Sequence, residues 1–321
     1  MLPVAVDALG GDKAPAEIVA GAKQAHAEGI PVLLVGPADL ADRGELPLHV
    51  ASEFIDMHEE PANAVRTKKD STLVVSADLV RDGKASAMIS AGNTGATMAS
   101  ALLRMGRIKG VKRPAIATPS PVPGSTPTVM LDAGANAEVE PEWMTQFALM
   151  GSVYARERFG IAVPKVGLLS IGEEPGKGDT LRKQTYELLS NATNVNFIGN
   201  VEGRDIMTPD VDVVVTDGFT GNVVLKTLEG GMKTLVKALI AAFGSKDEYK
   251  PHADALFPAL LPLYDSVDPD STGGAVLLGV DGVCIISHGS SSARAMVNGI
   301  KVAADMVECD MVGHIRRAIN P

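Results

Sequence analysis

Five short stretches set polar side chains directly beside glycine: SAGNTGA (90–96), LDAGAN (131–136), GEEPGKG (172–178), TDGFTGN (216–222) and SHGSS (287–291). Glycine lets backbone N–H groups approach an anion, neighbouring Asn, Thr, Lys or Ser add donors, and a following helix turns its positive end to the same point. The candidate anion-holding residues are Gly92, Asn93, Thr94, Gly95, Asp132, Asn136, Asp217 and Ser290. Lys177, Asn222 and His288 carry the groups best suited to act on a bound substrate. Each stretch also reads as a structural turn with a helix N-cap, since Asn, Asp and Ser are preferred caps.

Several sharper motifs fail on spacing. Gly172 to Gly176-Lys177 is one residue short of a P-loop, and Gly178 stands where that loop needs a magnesium-binding Ser or Thr. No G-x-G-x-x-G follows a strand, so a dinucleotide site is not indicated. Ser287 and His288 are neighbours on an extended segment, where side chains point apart, and no G-x-S-x-G elbow is present, which argues against a serine nucleophile. The chain has no H-x-x-x-H or C-x-x-C spacing. Asp7, Asp132 and Asp217 offer oxygens to a divalent ion without requiring one, and neither metal nor cofactor is expected.

The elements that position these turns are legible as strand-length apolar runs, each followed by a glycine turn and a helical pattern: PVAVDALGG, VLLVG, SAMISAGN, TVMLDAGAN, VGLLSIGEE, VDVVVTDGFTGN and GVCIISHGSS. Such runs fit strands buried on both faces of a mostly parallel sheet, with helices crossing right-handedly between them. Ligands gather beyond the carboxyl ends of parallel strands, so the glycine turns are expected to converge on one sheet edge. With 321 residues, 45% hydrophobic and only 4% aromatic, the expected architecture is one α/β/α domain over 1–321. Residues 229–273 read as a helical protrusion with an interrupted centre, where LFPALLPLY is broken by Pro258 and Pro262.

A formal charge of −10 excludes a general nucleic-acid binder, which needs an excess of Lys and Arg. Any acidic partner must therefore meet a local basic patch. Arg104, Arg107, Lys109, Lys112 and Arg113 form the best one, ahead of a Pro-rich loop, with Arg182 and Lys183 as a competing patch. The two cysteines, Cys284 and Cys309, lie in apolar or helical settings and read as reduced thiols. The first residues lack a basic flank and a long apolar run, and no stretch reaches the roughly 20 apolar residues that span a bilayer, so a cytoplasmic protein is expected.

The blocks DALGGDKAPAEIVAGA, SAGNTGA, LDAGAN, GEEPGKG, FIGNVEGRDI, DVVVTDGFTGNVVLKTLEG and GGAVLLGVDGVCIISHGSS, in this order, resemble the bacterial phosphate acyltransferases of phospholipid synthesis. Val276 departs from the proline usual in that family's GGAPLLG, and Asp270-Ser271-Thr272 from a commoner acidic and aromatic pair. The resemblance implies a Rossmann-like α/β/α fold akin to phosphotransacetylases and isopropylmalate dehydrogenases. It also implies acyl-phosphate formation from acyl carrier protein thioesters and inorganic phosphate, and a homodimer with sites near its interface. It further implies peripheral membrane contact, where product passes to a membrane-bound glycerol-3-phosphate acyltransferase. In that reaction Asn93, Thr94, Lys177 and the glycine-turn amides would position phosphate, with Asn222 and Ser290 nearby. His288 would stabilise the oxyanion or protonate the leaving thiolate. The rival readings are a phosphotransacetylase of short acyl-coenzyme A, a dehydrogenase of the related fold, and a non-catalytic phosphate-binding scaffold.

Overall fold

A computed structural model describes residues 1–320, and of Leu263, Ser266, Val267 and Pro269 the backbone alone. The apolar runs become strands β1 (Val4–Asp7), β2 (Val32–Gly36), β3 (Leu48–Val50), β4 (Ala87–Ser90), β5 (Ala115–Ser120), β6 (Thr128–Leu131), β7 (Lys165–Leu169), β8 (Asn196–Val201), β9 (Val213–Val215), β10 (Ala275–Leu278) and β11 (Val283–Ile286). The helices between them are α1 (Ala16–Ala27), α2 (Pro61–Thr67), α3 (Thr72–Arg81), α4 (Thr94–Arg104), α5 (Pro141–Phe159), α6 (Thr180–Ser190), α7 (Gly218–Phe243), α8 (Lys250–Val267), α9 (Pro269–Thr272), α10 (Ala293–Glu308) and α11 (Met311–Ile319).

All eleven strands pair into one sheet, in the order β3-β2-β1-β4-β11-β10-β5-β6-β9-β7-β8. Alternate residues serve two helical layers, as strand geometry requires. Val4, Val6, Ile89, Leu131 and Ile285 pack with α1, α5 and α10. Ala5, Met88, Met130, Cys284 and Ile286 pack with α3 and α4 on the other face. This is the expected α/β/α sandwich. Burial pushes the Cys284 thiol up to about 12 and also raises that of half-buried Cys309, as befits inert thiols.

Strand direction corrects one expectation. Pairing is parallel within β3-β2-β1-β4-β11 and within β6-β9-β7-β8, but β11-β10, β10-β5 and β5-β6 are antiparallel. Three reversals leave the second set running opposite to the first, so the glycine turns leave two edges instead of one. Sheets twist by roughly 20–25° per strand, which over the five steps from β4 to β9 comes to about 100–125°. The carboxyl ends of the two sets are linked by α7, which starts beyond β9 and brings Lys226 Nζ to 3.3 Å from His288 Nε2 beyond β11.

β5 falls inside what reads as a Pro-rich loop. Its Pro119 costs no ladder bond to β10, whose pairing with β5 covers only residues 115–117. The protruding segment also differs from expectation. α8 runs unbroken through Pro258 and Pro262, and the interruption comes earlier, at the 3₁₀ turn Asp247–Tyr249. On an exposed helix the carbonyls that the prolines leave unbonded are solvated, so the helix survives them.

Candidate active site

At the ends of β1, β4 and β11 a buried hydrogen-bond relay shapes the first wall. Ser90 Oγ donates to Asp7 Oδ2 at 2.7 Å and accepts from the Gly92 amide at 3.0 Å. Burial raises the Asp7 pKa against the opposing effect of its hydrogen bonds to Thr72, Ser90 and the Leu9 and Gly10 amides. Gly10 is obligatory here, because a Cβ would sit 2.6 Å from Asp7 Oδ2 and 2.8 Å from the Gly92 nitrogen. The Ser287 amide bonds Ser90 O and the Asp12 amide bonds Gly289 O, which locks the three turns together.

Asn93 does not serve as an anion donor in this wall. Its Oδ1 caps α4 through the Ala96 amide, and its Nδ2 donates to Met57 O and Glu59 O. The capping reading of this residue is the right one, and it leaves the exposed Thr94 hydroxyl without a partner among the described residues, beside the Thr94 and Gly95 amides at the start of α4. His288, at the exposed rim, places Nδ1 2.8 Å from Ser290 Oγ and Nε2 3.3 Å from Lys226 Nζ. Ser287 instead pairs with Ser291. An ammonium at the far ring nitrogen is the opposite of the carboxylate that a nucleophilic Ser-His pair needs, so the serine-nucleophile chemistry is absent. Desolvation and Lys226 together lower the His288 pKa and keep the ring neutral.

The second wall lies at the ends of β6, β7 and β9. Asp132 is fully buried and accepts from the amides of Ile116, Gly134, Ala135 and Asn136 and from Asn136 Nδ2. Asn136 Nδ2 also donates to Pro114 O. Asp132 and Asn136, expected to bind substrate, are thus committed to shaping their own turn. α7 then docks backbone to backbone on that turn. A Cβ on Gly221 would sit 1.9 Å from Asp132 O, and one on Gly218 2.6 Å from Asn136 O.

Asp217 is likewise structural. It caps α7 through the Thr220 amide at 2.8 Å and pairs with Arg182. Burial opposes its ionisation, yet the Thr220 bonds and Arg182 outweigh burial and hold its pKa below the usual carboxylate range. Arg182, only 12% exposed and also bonded to Thr220 Oγ1 and Asp179, leaves the competing basic patch with Lys183 alone. Asn222 is exposed above Gly134, and Lys177 is exposed on the GEEPGKG loop; neither side chain has a partner among the described residues. Beneath that loop Ser170 Oγ and Asn200 Oδ1 are buried without a hydrogen bond.

The basic cluster is split. Arg104 turns toward Asp78, at 3.8 Å. Arg107, Lys112 and Arg113 line one depression with Leu102 and Trp143, where the Arg113 guanidinium lies 4.8 Å from the Trp143 ring centroid. Exposed Lys109 flanks them.

A family model described as fatty acid synthesis protein matches residues 2–313. A phosphate acyltransferase of Elusimicrobium minutum is 48% identical, over 98% of this chain and 95% of that protein. One of Desulfitobacterium hafniense is 47% identical, over 99% and 98%. The chain belongs to the phosphate acyltransferase family. It is therefore an enzyme, as the resemblance in its motifs implies. Among solved structures, a phosphotransacetylase from Streptococcus pyogenes superposes with a TM-score of 0.62 at 16% identity, over 96% of this chain and 94% of that one. A 4-hydroxythreonine-4-phosphate dehydrogenase from Klebsiella pneumoniae gives 0.53 at 12%, over 95% and 98%. At such identities the likeness concerns the fold, which is shared beyond the family.

Of two further features of the site, sequence reasoning places one, Lys226, on the helix after TDGFTGN without giving it a role, and does not find the other. Lys226 sits within α7, four residues past the end of the TDGFTGN turn, and its only local signal is that spacing of four from Asn222. The Asp7–Ser90 relay spans 83 residues of sequence and has no local signal.

Proposed function

We propose that the protein transfers the acyl group of an acyl carrier protein thioester to inorganic phosphate, forming acyl-phosphate for phospholipid synthesis. What carries this reading is the rim at β4 and β11, in a member of this family. Thr94, Ser290 and His288 are exposed there, His288 Nδ1 lies 2.8 Å from Ser290 Oγ, and the two turns are joined by the Ser287 amide on Ser90 O. Phosphate is already nucleophilic near neutral pH, so the protein's work is to orient it and to stabilise the tetrahedral oxyanion. Thr94 and the turn amides position phosphate, Asn222 and Lys177 supply donors from the second wall, and His288 serves the oxyanion or the departing thiolate.

The deciding experiment incubates the protein with long-chain acyl carrier thioester and phosphate and traps acyl-phosphate with hydroxylamine. Product from the carrier thioester in preference to short acyl-coenzyme A is the expected result. Turnover of acyl-coenzyme A alone would point to a phosphotransacetylase, and no product from either to a scaffold.

The acidic carrier docks on Arg107, Lys109, Lys112 and Arg113, where local positive charge offsets the repulsion between two acidic proteins. Lys109→Glu with Lys112→Glu is expected to raise KM for the carrier substrate about tenfold, flatten its salt dependence and leave kcat within about twofold. Steady-state kinetics at two ionic strengths checks this, and an unchanged salt slope rejects the patch.

The α7–α8 hairpin fits both a second copy of the chain and a lipid surface. It exposes Leu235 (68%), Leu239, Ile240, Leu256 and Leu261, with Lys246 and Lys250 beside its turn. No helix among the described residues is long and apolar enough to cross a membrane, so the contact is peripheral. We read the hairpin as the homodimer contact and its LFPALLPLY segment as the part that touches lipid, near the membrane-bound glycerol-3-phosphate acyltransferase that takes up the product. Leu261→Glu is expected to stay dimeric by analytical ultracentrifugation while losing co-sedimentation with anionic vesicles. Wild-type sedimentation of that variant would remove the lipid contact.

A further inference from the structure

α7 links the turn beyond β9 to the turn beyond β11. It starts at the end of β9, is pressed onto the LDAGAN turn at Gly218 and Gly221, and eight residues after Gly218, about 12 Å along its axis, brings Lys226 to the SHGSS turn of β11. There the Lys226 ammonium lies 3.3 Å from His288 Nε2 and 2.9 Å from Glu229 Oε2. It is half exposed, beside a His288 ring whose other nitrogen meets Ser290. An ammonium set against an imidazole on an open rim contributes little to folding, because exposed pairs are worth little and this one has no opposite charge between its members.

We propose that Lys226 is the cation that grips the attacking phosphate, with His288 Nε2 as the phosphate's proton acceptor. This rests on the reading that the protein makes acyl-phosphate. Nδ1 lies 2.8 Å from Ser290 Oγ and 3.3 Å from the Ser290 amide, and Nε2 faces the Lys226 ammonium. With Lys226 donating to Nε2, the ring's own proton sits on Nδ1 and goes to Ser290 Oγ, at the expense of the longer bond from the Ser290 amide, and Nε2 holds the lone pair that is freed when the ammonium turns away. When monohydrogen phosphate enters, the ammonium turns to one of its oxygens and the P–OH donates to Nε2. A phosphate oxygen then bonds to the thioester carbonyl carbon and the C–S bond breaks. The phosphate proton passes through Nε2 to the departing sulfur, giving acyl-phosphate dianion and free thiol. No other reactant is consumed.

The charges that face His288 are Lys226, Glu229 and Lys233 from α7 and Asp12 from the β1 turn. The lysine beside the ring favours the neutral form that a proton acceptor needs.

Lys226→Met and Lys226→Arg test the assignment. Lys226→Met is expected to lower kcat/KM for phosphate by about 10²–10³ while KM for the carrier thioester stays within about twofold. It should also move the acid limb of the pH profile to higher pH, since the ring regains a higher pKa without its cationic neighbour. Lys226→Arg, which keeps the charge, should recover part of the phosphate dependence. Calorimetric titration with inorganic phosphate alone, on wild type and Lys226→Met, reads the seat without catalysis: binding is expected in the first and lost in the second. Equal phosphate affinity in the two proteins, or equal rises in both KM values, overturns the proposal. If wild type binds phosphate through Lys226 yet forms no hydroxylamine-trappable product, the reading of the reaction fails and the seat stands.

Discussion

Asp132→Ala is expected to remove most of the protein's folding stability. The Asp132 carboxylate is fully buried and gathers four backbone amides and one side-chain amide at 2.7 to 3.1 Å. Truncation leaves those donors without their acceptor at a fully buried position. Each buried, unsatisfied group costs about 1–3 kcal/mol, and a typical protein has only about 5–15 kcal/mol in all. The damage also spreads, because Gly218 donates to Asn136 O and α7 rests on this turn through Gly221. Denaturant unfolding should show a loss of several kcal/mol, and Asp132→Asn, which keeps one acceptor oxygen, an intermediate loss. A change below about 1 kcal/mol for Asp132→Ala would mean that the turn re-forms without its carboxylate, against the packing argument. Because the residue touches no opening, the expected effect is on folding; any activity retained by properly folded Asp132→Asn should have near-normal KM values.

The sequence speaks clearly where a signal is local. β1, β4, β6, β9 and β11 are short apolar runs ending in glycine turns, and all five are strands. β5 is hidden by prolines that matter only to neighbours the sequence does not show, and β8, NFIGNV, by polar alternation at a sheet edge. Since β10 and β5 are the strands that reverse direction, missing β5 also removed the warning that the turns leave two edges. The functional turns were legible as turns, yet Asn93, Asp132, Asn136 and Asp217 look alike whether they bind ligand or backbone. Only tertiary neighbours decide between the two, such as the Met57 and Glu59 carbonyls that occupy Asn93. Residues whose side chains remain uncommitted in the fold, Thr94, Lys177 and Asn222, keep their candidacy for a physical reason.

Asn222→Ala is expected to lower kcat by about 10²–10³ with KM for both substrates within about threefold, the pattern of a group that acts on the transition state. Asn222 precedes Lys226 by four residues and so lies on the same face of α7, one turn closer to the second wall. The helix that carries it is unusually well fixed. The Asp217 cap, its pairing with Arg182 and the backbone contacts at Gly218 and Gly221 all fall within its first turn. A donor on such a helix is preorganised, and preorganisation is what makes a hydrogen bond to a developing oxyanion worth more than one to the neutral carbonyl. Its amide packs against Gly134, where φ of 138° admits little but glycine. If Lys226 holds the phosphate, the thioester carbonyl must come within bonding distance of that phosphate, and Asn222 is the neighbouring donor on the helix that can reach its oxygen. Asn222→Asp sharpens the test. It preserves shape but sets a negative charge against the oxyanion, so it should be at least as slow as Asn222→Ala. Wild-type kcat in Asn222→Ala, or faster turnover in Asn222→Asp than in Asn222→Ala, would take the oxyanion away from Asn222.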